Sequence, residues 1–507
     1  MKKILLIGVD ALDSILISKF QADLPNIFAL KNRGLSVPMK SVYPPDSPVA
    51  WSSIYTGFNP ARTGIVYFRN PMDQESLVTA LDDSENTIGA RLKGSCFWDK
   101  AGASGKKVCI IFPLAIYPGW EVNGVMICRT MRAINRNYPP IRTYPQIIKE
   151  LEGMDGLNTI DAISSQKGSI LYKVIENSKT LLEEEFKLAG RLLRRGDWDL
   201  LFIYSSVLDA IQHCFWNYCD INDPTHIENN PFFSVIKDFY VLLDKRIGEL
   251  VSDAPENMTT IILSDHGHGM RPVNLVNINE VLREKGYLIS KRKKTKSGFT
   301  ERAISRLKRT IEWTISKTHG LEVLASKFLR MFPQAKKMYA TPPAVDWKRT
   351  VACVSDLSGI KAYSYGGIAI NRSNIEEKDY EQIRDSLIDI ASGIKEPGTD
   401  KKLVKWICRR EELYHGEYVK RYPDIVFELE EGYGIGWSLF EPLLGVSHTH
   451  GIHPGAHRMD SPVFIISGID SKKLAVDKMS LLDIAPTILD LLGVDFTGLD
   501  GNSILKK

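Results

Sequence analysis

The chain has 507 residues, of which 44% are hydrophobic and 25% are charged. This balance is typical of globular proteins and excludes an extended disordered chain, because it supplies enough apolar material for a large core. The net charge of +4, from 65 basic and 61 acidic residues, is too small to indicate nucleic-acid binding, and we find no nucleic-acid-binding motif. No apolar run approaches the ~20 residues of a membrane span, so the sequence predicts a soluble protein.

Five short apolar runs alternate with helical patterns along the chain. They cover residues 3–9, 107–112, 200–204, 259–263 and 462–466. Runs that are apolar throughout are typical of strands buried on both faces, as in a parallel sheet covered by helices. The sequence therefore predicts a doubly wound α/β fold, with a mostly parallel sheet and helices on both faces.

Two features favour a cytoplasmic location. The N-terminal apolar run ends at Asp10 after residues 4–9, so a buried strand fits it better than a signal peptide does. The seven cysteines are odd in number and contain no Cys-x-x-Cys pair, which favours reduced, structural thiols.

The alternation of apolar runs and helical patterns stops near residue 270. We therefore expect the chain to have three consecutive parts. Residues 1–270 are the first part of a catalytic core, residues 271–346 are an inserted basic helical cap, and residues 347–507 complete the core. The last part includes a small mixed subregion at about 351–433. The sequence does not indicate an oligomeric state.

A basic amphipathic helix is predicted inside the cap. Apolar residues at 304, 307, 311 and 315 mark one helix face, and basic residues surround it. A solvated cap helix is the commoner structure for this pattern. Peripheral contact of residues 291–335 with an anionic membrane surface is the less expected alternative.

Titratable side chains follow several of the predicted strands. Asp10 follows the first strand, Asp209 comes shortly after the third, and Asp265 and His266 follow the fourth. In open α/β sheets the ligand site lies outside the carboxyl ends of the strands. We therefore expect these side chains to share one cleft.

The spacing of these residues indicates metal ligands. Asp209 and His213 stand four positions apart, which on a helix places both side chains on one face. Asp265 and His266 are adjacent, and one ion can bind both only if the glycine-rich residues that follow turn the chain. With Asp10 and His457, the set has three carboxylates and three imidazoles. Such donors suit two divalent ions, zinc or alternatively manganese.

Ser47 is the candidate nucleophile. Because Pro48 follows it, we predict that Ser47 is the N-cap of a helix that continues to Tyr55. This position would present free backbone N–H groups and the positive helix end to a phosphate. No Ser–His–Asp motif is visible, so we expect a metal ion to activate the hydroxyl. Ser52 and Ser53 are alternatives, although their place in the middle of the helix favours packing roles.

Six segments around these candidates span nearly the whole chain. They are IGVDALD, SPVAWSSIYTGFNPARTGI, DAIQH, SDHGHG, GAHRMDSPVFIISG and LDIAPT. Together and in this order they resemble the type I phosphodiesterase/nucleotide pyrophosphatase family of the alkaline phosphatase superfamily. The resemblance implies an alkaline-phosphatase-like fold and metal-dependent phosphoryl transfer.

The resemblance also implies which side chains hold each ion. The first set consists of Asp10, Ser47, Asp265 and His266, and the second of Asp209, His213 and His457. The chain departs from the family pattern in two ways. The usual nucleophile is threonine rather than serine, and the proline commonly stands two residues later than Pro48.

The resemblance favours hydrolysis of phosphodiester or nucleotide pyrophosphate bonds in a small-molecule substrate, through a phosphoseryl intermediate on Ser47. A phosphomonoesterase, phosphonate hydrolase or phosphomutase of the same superfamily is the alternative. A non-catalytic protein that binds membranes or partners through the basic insert is a more distant one. A sulfatase is disfavoured, because Ser47 does not lie in a Cys/Ser-x-Pro-x-Arg motif.

The sequence assigns no definite role to several other polar residues. Candidate oxyanion partners are Arg62, Asn70 and Arg129. Histidines that could compete with His457 or contact substrate are His268, His448, His450 and His453.

Overall fold

The computed structural model describes residues 2–66, 68, 85–130, 141–145, 168–291, 345–356, 362–447, 449–469 and 476–505. Its strands are β1 Lys3–Val9, β2 Gly34–Ser36, β3 Met39–Lys40, β4 Val108–Ile111, β5 Gly124–Arg129, β6 Ile141–Tyr144, β7 Leu200–Ser205, β8 Met258–Leu263, β9 Gly267–Met270, β10 Asn274–Val276, β11 Ala352–Asp356, β12 Tyr365–Ile370, β13 Val404–Arg409, β14 Ile425–Leu429, β15 Tyr433–Ile435, β16 Leu444–Val446, β17 Gly455–Arg458, β18 Phe464–Ser467 and β19 Met479–Ser480. Its α-helices are Ser14–Lys19, Pro25–Arg33, Ser47–Thr56, Pro60–Thr63, Glu85–Leu92, Phe97–Ala103, Gly168–Arg195, Val207–Cys219, Val235–Asp253, Ile278–Glu284, Tyr380–Ser392 and Ile484–Leu492.

The central sheet has eight strands in the order β2-β18-β8-β1-β7-β4-β5-β6. Strands β8, β1, β7, β4 and β5 are mutually parallel. The predicted α/β class with a mostly parallel sheet is confirmed. The run expected at 462–466 forms β18, but β18 lies antiparallel to β8, and β2 and β6 are antiparallel edge strands. An apolar run alone does not encode strand direction.

Strand β1 shows why these runs are apolar throughout. Its alternate side chains Leu5, Ile7 and Val9 pack in one core with helices Val207–Cys219 and Val235–Asp253. Its other side chains, Ile4 and Leu6, pack in a second core on the opposite face, with helices Ser47–Thr56 and Ile484–Leu492. Because successive strand residues point to opposite faces, a sheet covered on both sides needs apolar residues at every position.

Residues 274–446 contribute two smaller sheets, β11-β12-β14-β13 and β15-β10-β16. The start of the predicted helical cap is part of this region, because β10 pairs with β15 and β16. Val276 and Ile278 share a core with Val354 and Phe427. The amphipathic helix predicted at 304–315 and most of the 291–335 segment lie outside the described residues.

All seven cysteines are unpaired. Across the part of the chain that the structure describes, no helix is long and apolar enough to cross a membrane.

Gly8 permits the close packing of β1 beneath the helix Ser47–Thr56. A Cβ atom at Gly8 would lie 2.6 Å from Trp51 Cη2 and 2.9 Å from Phe202 Cε2. We expect Gly8→Ala to lower the free energy of unfolding by about 1–3 kcal/mol, because two large rings must move. Urea denaturation with an unchanged m-value measures this loss.

Gly190→Ala is the matched control. A Cβ atom there would lie 3.4 Å from Arg194 Nη1, which is ordinary contact, and the residue lies inside a helix. Its stability should be unchanged or higher by up to about 1 kcal/mol. Equal urea midpoints for the two variants would contradict the packing explanation.

Candidate functional site

The acidic and imidazole side chains expected from strand ends meet at one edge of the central sheet. Asp10 follows β1, Asp209 lies in the helix after β7, and Asp265 and His266 join β8 to β9. Because β1 is parallel to both β7 and β8, the carboxyl ends of all three lie together. Strand β17 brings His457 to the same edge by pairing with β9.

The first group contains Asp10, Asp265 and His266, whose donor atoms all lie within 4.8 Å of one another. His266 Nε2 is 3.4 Å from Asp10 Oδ1 and 3.2 Å from Asp265 Oδ2. The Ser47 hydroxyl joins this group, 3.1 Å from His266 Nε2 and 3.4 Å from Asp10 Oδ1. Ser47 is partly exposed, whereas the other three residues are buried.

The second group contains Asp209, His213 and His457, also within 4.8 Å of one another. Asp209 Oδ1 is 3.3 Å from His213 Nε2 and 3.5 Å from His457 Nε2. The two Nε2 atoms are 3.0 Å apart. The rings of His266 and His457 stack with centroids 3.8 Å apart, so the two groups are direct neighbours.

Backbone carbonyl groups determine the tautomers of these three imidazoles. His213 Nδ1 is 3.0 Å from the Gly455 oxygen, His457 Nδ1 is 2.8 Å from the Pro45 oxygen, and His266 Nδ1 is 3.0 Å from the next residue's oxygen. A carbonyl oxygen only accepts, so each Nδ1 carries the proton. Each Nε2 therefore presents a lone pair to the cluster, as in metal-ligating histidines.

The donor atoms fit divalent cations. Asp209 Oδ1 and Asp265 Oδ2 are buried without a hydrogen-bond partner among the described residues. The Nε2 lone pairs of His213 and His457 face each other at 3.0 Å, which is unfavourable unless a proton or cation lies between them. Mixed carboxylate and imidazole donors suit borderline ions such as zinc.

The electrostatics of the cluster agree with this fit. Burial, followed by the charge of Asp209, raises the pKa of Asp10 to about 7. Burial and the charge of Asp10 raise the pKa of Asp265 well above its usual range. Burial lowers the pKa of His266 to about 4 and also lowers the pKa of His457. Lowered pKa values favour the neutral form of His266 and His457, which is the form that binds a metal ion.

Similarity to known proteins agrees with the site. The model of the family described as type I phosphodiesterase / nucleotide pyrophosphatase matches residues 4–452. The chain belongs to this family. Members are metal-dependent, and the chain is accordingly a hydrolase of the phosphoester class with candidate metal-ligand groups.

Solved structures show the same fold. Two similar ones are phosphonoacetate hydrolase from Sinorhizobium meliloti 1021, one in complex with phosphonoformate and one with phosphonoacetate. Each has a TM-score of 0.51 and 14% identity, and the match covers 97% of this chain and 96% of that chain. The likeness shows an alkaline-phosphatase-like fold. No curated protein matches the sequence significantly.

Two aromatic side chains orient Asp10 for the role that the family implies. The Tyr204 hydroxyl donates to Asp10 Oδ2 at 2.6 Å, and Trp51 Nε1 donates to the same oxygen at 3.2 Å. Oδ1 is left to face Ser47 and His266. These two hydrogen bonds hold the Asp10 carboxyl group with its other oxygen directed at the remaining members of the first group.

His268 adds an imidazole to the cluster. Its Nδ1 is 3.6 Å from Asp209 Oδ1, and its ring centroid is 4.6 Å from that of His213. It forms a third set of donor atoms, within 4.8 Å of one another, with Asp209 and His266. Both of its ring nitrogens are buried without a partner among the described residues. Its place beside both groups makes it a further candidate for the site.

Asp13 is a site residue that we did not single out from the sequence. Its Oδ2 accepts from the His268 amide at 3.0 Å and from the Ser461 hydroxyl at 2.5 Å. Its Oδ1 accepts from the amides of Ile15 and Leu16 and caps a helix. The signal was the second aspartate of IGVDALD, at a helix-start position.

The start of the helix Ser47–Thr56 corrects one prediction. Asp46 rather than Ser47 is the N-cap, with φ −100° and ψ 130°, and its carbonyl accepts from the amides of Val49 and Ala50 at 3.0 Å. Those amides are therefore used inside the helix and are not free for a phosphate. Ser47 is the first helical residue and Pro48 the second, because the extended backbone ends one residue earlier than predicted.

The other candidates lie elsewhere. Ser52 is buried and its hydroxyl donates to the Pro48 oxygen at 2.5 Å, and Ser53 is fully buried. Arg129 pairs with Glu185 and Arg62 pairs with Asp500, so both guanidinium groups already have a carboxylate partner. Asn70 and His448 fall outside the described residues.

Gly267 lets the chain that follows His266 lie close to Asp13. A Cβ atom there would lie 1.9 Å from Ser461 Oγ and 2.4 Å from Asp13 Oδ2. We expect Gly267→Ala to lower zinc affinity at least tenfold, because the chain that carries His266 must shift, and outer contacts of ligands are worth about 10–100-fold. Chelator competition measures the affinity.

Gly269→Ala is the matched control, because its Cβ atom would meet only the flexible side chain of Arg458. This variant should bind zinc nearly as well as the unsubstituted protein. Equal losses in both variants would show that the close approach of Gly267 to Asp13 is not what matters.

Zinc affinity should rise with pH up to about 7. Asp10 has a pKa of about 7, so below that pH its carboxyl group must lose a proton before it can bind an ion. Calorimetric titrations in buffers of different ionisation enthalpy should show proton release at pH 6 that diminishes by pH 8. Proton release that is the same at both pH values would contradict the raised pKa.

Proposed function

We propose that the chain hydrolyses phosphodiester or nucleotide pyrophosphate bonds in small-molecule substrates, using two divalent ions and Ser47 as the nucleophile. One observation carries the proposal: the partly exposed Ser47 hydroxyl lies 3.1 Å from His266 Nε2 and 3.4 Å from Asp10 Oδ1. Membership of the phosphodiesterase family supports this substrate class.

The side chains around Ser47 suit a nucleophile. His266 Nε2 and Asp10 Oδ1 are both acceptors, so the hydroxyl donates its hydrogen towards one of them and turns an oxygen lone pair outwards. Ser47 is also the first residue of a helix, where the positive end of the helix dipole stabilises developing negative charge. When bound, divalent ions at the two groups lower the hydroxyl pKa and neutralise phosphoryl oxygens.

The reaction we propose has two displacements. Ser47 Oγ forms a bond to phosphorus while the bond to the leaving oxygen breaks, and the proton lost from the hydroxyl passes through water to the leaving oxygen. This step gives a phosphoseryl intermediate. Water then attacks the same phosphorus, breaks the bond to Ser47 and restores the hydroxyl. Asp10, Asp265 and His266, together with Ser47, surround the first ion in this proposal, and Asp209, His213 and His457 hold the second.

Zinc is the ion that we propose for both groups. Three carboxylates and three imidazoles form a mixed oxygen and nitrogen donor set, which zinc accepts in four-coordinate sites. Manganese also accepts such donors and is the second candidate, whereas magnesium prefers an oxygen shell.

Replacement of Ser47 is the direct test of the nucleophile. Ser47→Ala should lower turnover of bis-p-nitrophenyl phosphate by at least about 10³-fold, because loss of a nucleophile leaves only binding and electrostatic effects. Bound zinc, measured by atomic emission, should stay at the level of the unsubstituted protein. Ser52→Ala, which removes a buried hydroxyl of the same helix, should retain activity.

The substrate class and the ions are tested with the unsubstituted protein. Turnover of bis-p-nitrophenyl phosphate should stop after chelation and return with zinc or manganese. Faster turnover of p-nitrophenyl phosphate, or of phosphonoacetate, than of the diester would replace the proposed substrate with a monoester or phosphonate. Full activity of Ser47→Ala would exclude the proposed nucleophile.

A further inference from the structure

A buried ion pair lies outside both donor groups. The His450 side chain is 1% exposed and that of Asp223 is 0% exposed, and Nε2 lies 3.0 Å from Oδ1. His450 Nδ1 lies 2.8 Å from the backbone oxygen of Arg271. A carbonyl oxygen only accepts, so Nδ1 carries a hydrogen, while Nε2 faces the Asp223 carboxyl group and, at 3.2 Å, the Thr225 hydroxyl.

The surroundings of Asp223 agree with an ionised carboxylate. Thr225 donates to Oδ1 from its amide at 2.8 Å and from its hydroxyl at 2.7 Å. Burial acts to raise the pKa of Asp223, but the hydrogen bonds from His450 and Thr225 outweigh burial and lower it.

Arg271 links this pair to the second donor group. Its backbone oxygen accepts from His450, while its side chain donates to the His453 oxygen and, through Nη2 at 2.9 Å, to the Gly455 oxygen. The same Gly455 oxygen accepts the Nδ1 hydrogen of His213. A continuous chain of polar contacts thus runs from the ion pair to a metal-ligand candidate.

The pair also joins the three segments that build the second group. Asp223 lies just beyond the helix Val207–Cys219, which carries Asp209 and His213. His450 precedes β17, which carries His457, and Arg271 follows β9, which pairs with β17. A change in the pair would therefore be transmitted to each segment.

We propose that the His450–Asp223 ion pair is a positioning element of the second ion site, which acts by holding the Gly455 carbonyl and hence the His213 imidazole. The inference rests on the proposed function only in assuming that Asp209, His213 and His457 bind an ion. Partners that orient a ligating imidazole contribute about 10–100-fold to metal affinity. The pair reaches His213 indirectly, through Arg271 and the Gly455 carbonyl group. We therefore expect its loss to lower zinc affinity at the second group about tenfold, the lower end of that range.

The test is zinc binding by the full chain, measured by chelator competition with zinc alone. The two binding steps are first assigned with His213→Ala, which removes a second-group ligand, and Asp265→Asn, which alters the first group. Asp223→Asn and His450→Gln should each weaken the second-group step about tenfold and leave the first-group step unchanged. Thr225→Val removes only the hydroxyl group that donates to Asp223, and it should also weaken the second-group step, by less than the other two substitutions.

Asp244→Asn is the matched control. Asp244 is also buried, and it accepts from the amides of Asn26 and Ile27 at 3.2 and 2.7 Å, between helices outside the donor groups. This variant should lower the thermal midpoint without changing either zinc step. The Asp223→Asn/His450→Gln double variant should lose no more second-step affinity than one single variant, because both substitutions break the same pair.

The outcomes separate this inference from the proposed function. Unchanged second-step affinity in folded Asp223→Asn and His450→Gln would overturn the inference, as would an equal loss in both steps or in Asp244→Asn. Failure of the unsubstituted protein to cleave any phosphoester with two zinc ions bound would overturn only the proposed function. Failure to bind zinc at all would overturn both.

Discussion

The arrangement of this protein depends on three carboxylates held together at one edge of a buried sheet. Asp10 and Asp265 are inaccessible to water, and Asp209 has one oxygen buried without a partner among the described residues. Charge brought out of water at such a place is costly unless opposite charge compensates it. The raised pKa of Asp10 and Asp265 expresses that cost in the absence of cations. Divalent cations would supply the missing compensation, so the property that makes the cluster unfavourable alone also makes it a candidate metal site.

A rigid framework is needed to hold this cluster, and the two apolar cores provide it. Strand β1 contributes alternate side chains to each core and is followed by Asp10, so a candidate ligand comes directly after a buried strand. Tyr204, at the same level of the neighbouring strand β7, then fixes one oxygen of Asp10. Orientation of the ligand and packing of the core are thus produced by the same residues.

The parts of the fold and site that follow from local pattern are predictable from sequence. Uninterrupted apolar runs indicate the strands, and acidic residues after them indicate one shared edge, because parallel strands have a common carboxyl side. Features that arise only from tertiary contact are not predictable in this way. Examples are the antiparallel direction of β18, the pairing of β10, and the role of Asp13, whose partners Ser461 and His268 are distant in sequence. The prediction that Ser47 is the N-cap was wrong by one residue, because proline is tolerated at both the first and the second position of a helix.

The two donor groups are not independent of Ser47, the proposed nucleophile. Pro45, two residues before Ser47, accepts the Nδ1 hydrogen of His457 at 2.8 Å, and the ring of His457 stacks on that of His266, which lies beside the Ser47 hydroxyl. A change in the orientation of His457 would therefore act on Ser47 by two routes. One runs through the Pro45 carbonyl group, and the other runs through the His266 ring. Because an ion at the second group would hold His457 in a single orientation, we infer that its binding also restricts the position of Ser47.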